Sequence, residues 1–445
     1  MAKRKITLED IEALDSKKLA KLLYDMLDEN RELYGKLDKL ILSNNPKELT
    51  KAIKKDIGSI RRGSKFIDYY NSFDFSKKIQ NIVDDIVLMV EDKKVASKLF
   101  KELILTDSKV YLRSDDSSGA IQASYRQALK EWFDCIEFIS ENELYNDMKE
   151  MLVCEGFGTR DIFSEAIPKA VLIKLYDEYI LLENHSNIDN YDRVCLLKET
   201  AHYLKEPIRF INALKLNGED LKDYELLEIA KEYQYADMPK ELLEVLQKVQ
   251  EVSPYNARNF YELQVWAYSK LKEPQNVVLT YKNWYEKSKE VSVLKTYLSY
   301  LDGEMYERVK NEALNHAKSL SVGGALEFFY ALDEKELANE YIFENQESLH
   351  KNHLYDTQLK SIVKWLEKDY PQALILLYRA VCEQALSRSI SKYYPHGIKA
   401  LKACLKLEKQ YNISSWKIEP NEVYMQRLLE KHKKKSKFVQ LFKAI

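Results

Sequence analysis

The side chains best suited to chemistry are gathered in a few places. Arg61 and Arg62 stand in Ile57-Gly58-Ser59-Ile60-Arg61-Arg62-Gly63-Ser64-Lys65, and Asp115 and Asp116 in Ser114-Asp115-Asp116-Ser117-Ser118-Gly119. Guanidinium and carboxylate match each other in a two-bond fork. These four residues are therefore the candidates for a local ion-pair clamp or for an anion- or ligand-binding pocket floored by the arginines. Glu347, His350 and His353 follow at three-residue spacing, but a tight metal site needs a further donor and an outer shell that the sequence does not mark. No metal is expected. Gly58-x4-Gly63 has the glycine spacing of a phosphate loop, yet Ser64 and Lys65 come in the reverse order and no strand precedes them. Gly156-Phe157-Gly158 lacks the third glycine of a dinucleotide turn and reads as an ordinary turn. No cofactor is expected either.

Near the C-terminus, Arg427 and His432 are separated by four residues. This Arg-x4-His spacing resembles that of a family of small helical ribonucleases. The resemblance implies an arginine that stabilises charge and a histidine that moves the proton on a phosphodiester. The polar residue preferred after that arginine is Leu428 here, and a motif this short arises about once by chance in a chain of this length. Lys431, Lys433, Lys434, Lys435 and Lys437 follow at once. Such a run complements the negative end of a helix or contacts phosphates. It supplies the alternative function: a nucleic-acid-binding or RNA-processing factor.

Composition argues against the broader versions of that alternative. The 69 basic and 71 acidic residues of the 445-residue chain leave a net charge of −2, which provides no global field for a polyanion. The five cysteines are scattered and never in Cys-x-x-Cys spacing, as in reduced intracellular proteins. The basic start Met1-Ala2-Lys3-Arg4-Lys5 runs into polar residues with no signal-like apolar stretch, and no run is long enough to span a bilayer. The expectation is a cytoplasmic protein with no membrane partner.

The elements that must position these residues are helical. With 11 glycines and 9 prolines in 445 residues, the chain falls well below the usual share of about 12%. Apolar residues recur at the helical period: Leu19, Leu22, Leu23, Met26 and Leu27 after Ser16; Ile79, Ile82, Val83, Ile86 and Val87; and Tyr125, Ala128, Leu129 and Trp132, capped by Ser117 or Ser118. From Asp161 onward, Pro239, Pro254 and Pro274 head successive apolar-periodic helices, with a spacing near that of tetratricopeptide (TPR) repeats but no strict consensus. The predicted fold is all-α: an N-terminal helical bundle over residues 1–160, then a degenerate TPR-like α-solenoid over 161–445. Trp266, Trp284 and Trp365 are expected to pack between repeats.

Ile60-Arg61-Arg62, Phe66-x-Asp68-Tyr69 and Asp115 to Gly119, with the opening Ile6-Thr7-Leu8-Glu9, resemble an uncharacterised, mostly bacterial all-helical family, domain of unknown function 6880. The resemblance spans nearly the whole chain and implies no activity. The later segments Trp365-Leu366-Glu367, Tyr370-Pro371-x-Ala373 and Leu377-Tyr378-Arg379 resemble the helical region found beside SWIM-type zinc fingers, whose own Cys and His ligands are missing here. No catalytic constellation rises above chance. The expected function is a non-enzymatic helical-repeat scaffold that binds a protein partner through a concave surface.

Overall fold

A computed structural model describes residues 7–28, 30–152, 162–182, 190–218, 220–351, 356–411, 415 and 417–445. The basic start, Cys154, Gly156-Phe157-Gly158 and His353 lie outside the described residues. Among those described the fold is all-α, with one isolated backbone bridge, Ile67 to Ser114, and no strand. The chain forms two compact units, Met1–Val252 and Ser253–Ile445. Helix packing runs on past residue 160 within the first unit.

The first unit begins with α1 (Leu8–Glu12) and α2 (Ser16–Asp25), then α3 (Arg31–Leu42), α4 (Pro46–Arg62), α5 (Tyr69–Met89), α6 (Lys93–Ile104), α7 (Asp107–Tyr111), α8 (Ala120–Phe133) and α9 (Glu141–Leu152). Asp15, not Ser16, caps α2, and none of that helix is buried. Leu49, Ile53, Ile57 and Ile60 make the buried stripe of α4, spaced three and four residues apart as a helix facing a core requires. The expected bundle takes the form of two layers: α3, α5 and α8 lie side by side in one, and α4, α6 and α9 in the other. The second-layer helices start at Pro46, Lys93 and Glu141, a period of about 47 residues like that of other two-helix arrays. Polar rungs join successive helices at the same interval: Lys39 to Asp85, Ser76 to Ser124 and Lys101 to Asp147.

Next come α10 (Lys169–Ile180), α11 (Asn190–Leu204), α12 (Pro207–Lys215), α13 (Asp223–Tyr235) and α14 (Pro239–Leu246). Helix α9 packs on α10, α10 on α11 and so on in order, which carries the stacking past residue 160. Arg209 on α12 reaches back to Asp177 on α10 at 2.6 Å, and His202 on α11 contacts Glu232 on α13 at 2.9 Å.

The second unit contains α15 (Ala257–Lys270), α16 (Pro274–Ser288), α17 (Val291–Leu298), α18 (Gly303–Ala317), α19 (Val322–Ala331), α20 (Lys335–Glu344), α21 (Asp356–Leu366), α22 (Pro371–Ser387), α23 (Tyr394–Gln410), α24 (Asn421–Lys431) and α25 (Ser436–Phe442). The first helices of successive pairs, from α11 to α21, start at residues 190, 223, 257, 291, 322 and 356. This period of about 33 residues is that of TPR-type repeats. Proline occupies the first turn of α12, α14, α16 and α22, where its missing N–H costs no hydrogen bond. Pro254 instead sits in the turn before α15.

The corner between paired helices has its own chemistry. Lys205, Asp237, Lys272 and Asp333 adopt left-handed backbone with φ of 58–59°. The next residue's N–H closes onto a carbonyl five residues back: Glu206 to Ala201, Met238 to Tyr233, Glu273 to Tyr268 and Glu334 to Phe329, at 2.8–3.1 Å. This is the Schellman closure usually built on glycine.

Of the three tryptophans expected between repeats, Trp284 is buried and stacks between Tyr261 and Tyr281. Trp266 is half-buried, with the Lys270 ammonium over its ring. Trp365 is also half-buried; it meets Tyr330 edge-on and its indole N–H donates to Asp333 at 2.7 Å, bridging neighbouring pairs at their rim. Among the described residues Trp132 on α8 is the fully enclosed tryptophan, at 0% exposure. In chemical denaturation Trp132→Ala should lose about 3–5 kcal/mol and the half-exposed Trp365→Ala distinctly less, about 1–3.

Candidate anion-binding site

Local sequence sets the joint between α7 and α8. Gly119 holds the N-cap position at φ 72° and makes no side-chain cap, a conformation that costs glycine little. The cap comes from Asp116, whose two carboxylate oxygens accept the Ile121 and Gln122 amides at 3.0 and 2.8 Å. Asp115 accepts the Ser117 amide and hydroxyl. The expected Ser117 or Ser118 cap gives way to an acid that reaches two free amides at once and meets the positive helix end. Ser118 keeps a minor part, accepting the Ala120 amide at 3.3 Å.

Both acids are thus committed locally, and no ion pair joins them to Arg61 or Arg62 among the described residues. The arginines also part from each other. Successive helical residues do not share a face, so Arg61 turns toward α6, its guanidinium on the Glu102 carbonyl at 3.3 Å. It lines a shallow cleft in which Lys101 is already bound to Asp147 and Glu150 at 2.7 and 3.0 Å. Arg62 turns the other way, toward α3 and α5.

There it lines a cavity of about 600 Å³ in which six cations, Lys36, Lys39, Arg62, Lys65, Lys78 and Arg113, face two acids, Asp56 and Asp85. Arg113 is the organiser. It donates to the carbonyls of Lys65 and Ile60 at 2.9 and 3.2 Å and lies 5.2 Å over the Phe75 ring. It thereby closes the carbonyl end of α4, which a cation favours. Gly63 makes room for it, because a Cβ there would fall 2.7 Å from an Arg113 nitrogen. The Ile67–Ser114 bridge fixes the register: Ile67 N–H donates to the Arg113 carbonyl and Asp115 N–H to the Ile67 carbonyl, both at 2.8 Å.

Both acids share one cation, since Lys39 donates to Asp56 at 2.5 Å and to Asp85 at 2.6 Å. Burial disfavours the Lys39 ammonium, but the two carboxylates outweigh it and hold its pKa above the ordinary lysine value. Arg62, Lys65 and Lys78 form no ion pair among the described residues. The cavity therefore keeps more cations than acids in its lining, and an anion entering it meets ammonium and guanidinium donors already in place. Beside it, Phe66, Tyr69, Tyr70 and Phe73 are exposed, with Tyr69 edge-on to Tyr70 and to Phe73 at 5.5 and 5.8 Å. Only Arg62 of the four residues singled out from sequence lines this cavity. Lys39, Asp85 and Arg113 left no mark in the sequence because three separate segments bring them together.

The C-terminal candidates do not converge. Arg427 gives Nε and Nη2 to Glu419 at 3.2 and 2.7 Å, while His432 sits edge-on to Phe438 at 6.0 Å. Burial, with Lys435 and Lys431 nearby, pushes the His432 pKa below its ordinary value. In the lysine run, Lys431 pairs with Glu383, Lys433 with Glu430, and Lys435 bonds the Leu386 carbonyl and Ser389. Lys434 and Lys437 are exposed. Glu347 and His350 line one cavity, but no cluster of three metal-type ligands occurs among the described residues.

The profile of a family of unknown function, DUF6880, matches residues 1–172 and 214–441. No curated protein matches the chain. Among solved structures, a circular tandem repeat protein with novel repeat topology and enhanced subunit contact surfaces aligns at 11% identity over 96% of this chain and 88% of its own. Its TM-score of 0.15 is too low for the likeness to carry an argument.

Asp116→Ala should cost about 1–2 kcal/mol in urea unfolding by freeing two amides of α8. Asp115→Ala, which loses only contacts within its own turn, should stay within about 0.5 kcal/mol.

Proposed function

The chain belongs to the DUF6880 family of unknown function, and we propose that it is a non-enzymatic helical-repeat scaffold whose basic cavity between α3, α4 and α5 binds an acidic segment of a protein partner. The observation that carries this reading is the uncompensated charge of that cavity: Arg62, Lys65 and Lys78 line it without an ion-pair partner among the described residues. Two-layer arrays of short helices expose extended surfaces and so favour recognition of other chains. The exposed aromatic group Phe66, Tyr69, Tyr70 and Phe73 adds the side-chain types enriched at protein interfaces. Arg427 and His432 stand apart in separate environments, which favours a binding role over phosphodiester chemistry. The cytoplasm fits the four described cysteines, all free thiols, as in a reducing compartment.

Fluorescence anisotropy with a labelled polyglutamate peptide tests the reading. The expected result is binding that weakens with salt and falls about tenfold or more in the triple variant Arg62→Glu, Lys65→Glu, Lys78→Glu. These side chains are exposed, so the variant should keep its helical circular dichroism. Unchanged peptide affinity in the folded triple variant, or tighter binding of a single-stranded oligonucleotide than of the peptide, would refute it.

A further inference from the structure

The second unit holds a buried cation to which no carboxylate is hydrogen-bonded among the described residues. Arg379 projects from α22 and is 5% exposed. Its Nη2 donates to the Glu419 carbonyl at 2.7 Å and to Asn421 Oδ1 at 2.8 Å, and its Nε is buried without a partner. Only neutral acceptors serve it among the described residues. The guanidinium lies 4.3 Å over the Tyr424 ring, and Arg427 approaches the same ring at 5.4 Å. A guanidinium in this setting holds its place through Nη2 alone, which leaves the rest of its donor fork uncommitted.

That fork borders a cavity of about 490 Å³ whose other charges cancel in pairs. Arg427 is bound to Glu419 through two nitrogens, and Lys431 lies 3.3 Å from Glu383. The pairing leaves one cation, the buried Arg379, and one anion, the exposed Glu347, around the same space, with the His350 ring also in its wall. Leu376, Ala380 and Ile418 supply an apolar wall. A dianion such as phosphate would meet three carboxylates here, whereas a ligand carrying one carboxylate and one ammonium answers both residual charges.

We propose that this cavity binds a small amino-acid-type zwitterion, with its carboxylate on Arg379, its ammonium toward Glu347 and an aliphatic side chain against Leu376, Ala380 and Ile418. The site is separate from the basic cavity of the first unit and stands or falls independently of it. Tyr424 fixes the guanidinium plane from one side, and its hydroxyl lies 3.3 Å from Glu383. The receiving geometry is therefore set before a ligand arrives, which limits what binding must order.

Isothermal titration calorimetry on the full chain tests this with L-leucine, 4-methylvalerate (leucine without its amine), isoamylamine (without its carboxylate) and inorganic phosphate. The expected result is saturable L-leucine binding, with each single-charge analogue and phosphate about tenfold or more weaker. Glu347→Gln, at an exposed position, should weaken L-leucine by a similar factor at unchanged Tm. Arg379→Gln should abolish it, with circular dichroism reporting whether that variant folds. Absence of saturable L-leucine binding, phosphate binding as tightly as L-leucine, or unchanged L-leucine affinity in Glu347→Gln would each overturn the proposal.

Discussion

Helices of this length cannot stand alone in water. Those of the paired region from α11 to α21 run from 8 to 15 residues, at or below the length at which an isolated helix is marginal. Within each unit they survive by giving their apolar stripes to the helices packed against them. Small side chains set how closely they approach: Ala213, Ala230, Ala267, Ala325, Ala338 and Ala373 are all buried to 0% exposure. At the C-terminus, α23 to α25 gather Tyr394, Leu401, Leu428 and Phe438 into a separate cluster that covers the face the last pair would otherwise leave open.

Stacking of this kind makes each rung a place where charge must be settled locally. Along both units it is settled by pairs spaced one repeat apart, such as Lys198 with Glu228 and Lys335 with Asp369. Such surface pairs contribute little to stability individually, and what they set is register. The basic cavity and the Arg379 cavity depart from this pattern: Arg62, Lys65 and Lys78 form no ion pair among the described residues, and Arg379 hydrogen-bonds only neutral acceptors there. Uncompensated groups beside open space are where a repeat array has something left to offer a ligand.

Much of the fold was legible from the chain alone. Low glycine and proline content and a 3.6-residue apolar period required helices, and Pro239 and Pro274 head helices as expected, whereas Pro254 lies in a turn. The repeat was legible only as an approximate spacing without a strict consensus, because the corner residue that normally announces it, glycine, is replaced by Lys205, Asp237, Lys272 and Asp333. Read in hindsight, the residue two places before the proline at Pro207, Pro239 and Pro274 is the marker. The site was less legible. Arg61 and Arg62 look like a pair in sequence, but a helix turns about 100° per residue, and the two serve different clefts.

The sequence by itself determined that the chain is helical, where most helices begin and which faces are apolar, since these follow from local propensity, capping and periodicity. It also determined that the Ser114–Gly119 turn would start a helix, although the cap itself falls to Asp116 rather than to Ser117 or Ser118. Only the tertiary structure decided which charges meet. Lys39 reaches Asp85 across 46 positions, Arg113 reaches the Ile60 carbonyl across 53, and Arg379 reaches Asn421 across 42. Electrostatic partnership depends on distance in space, and no local pattern of residues encodes a contact made between helices so far apart along the chain.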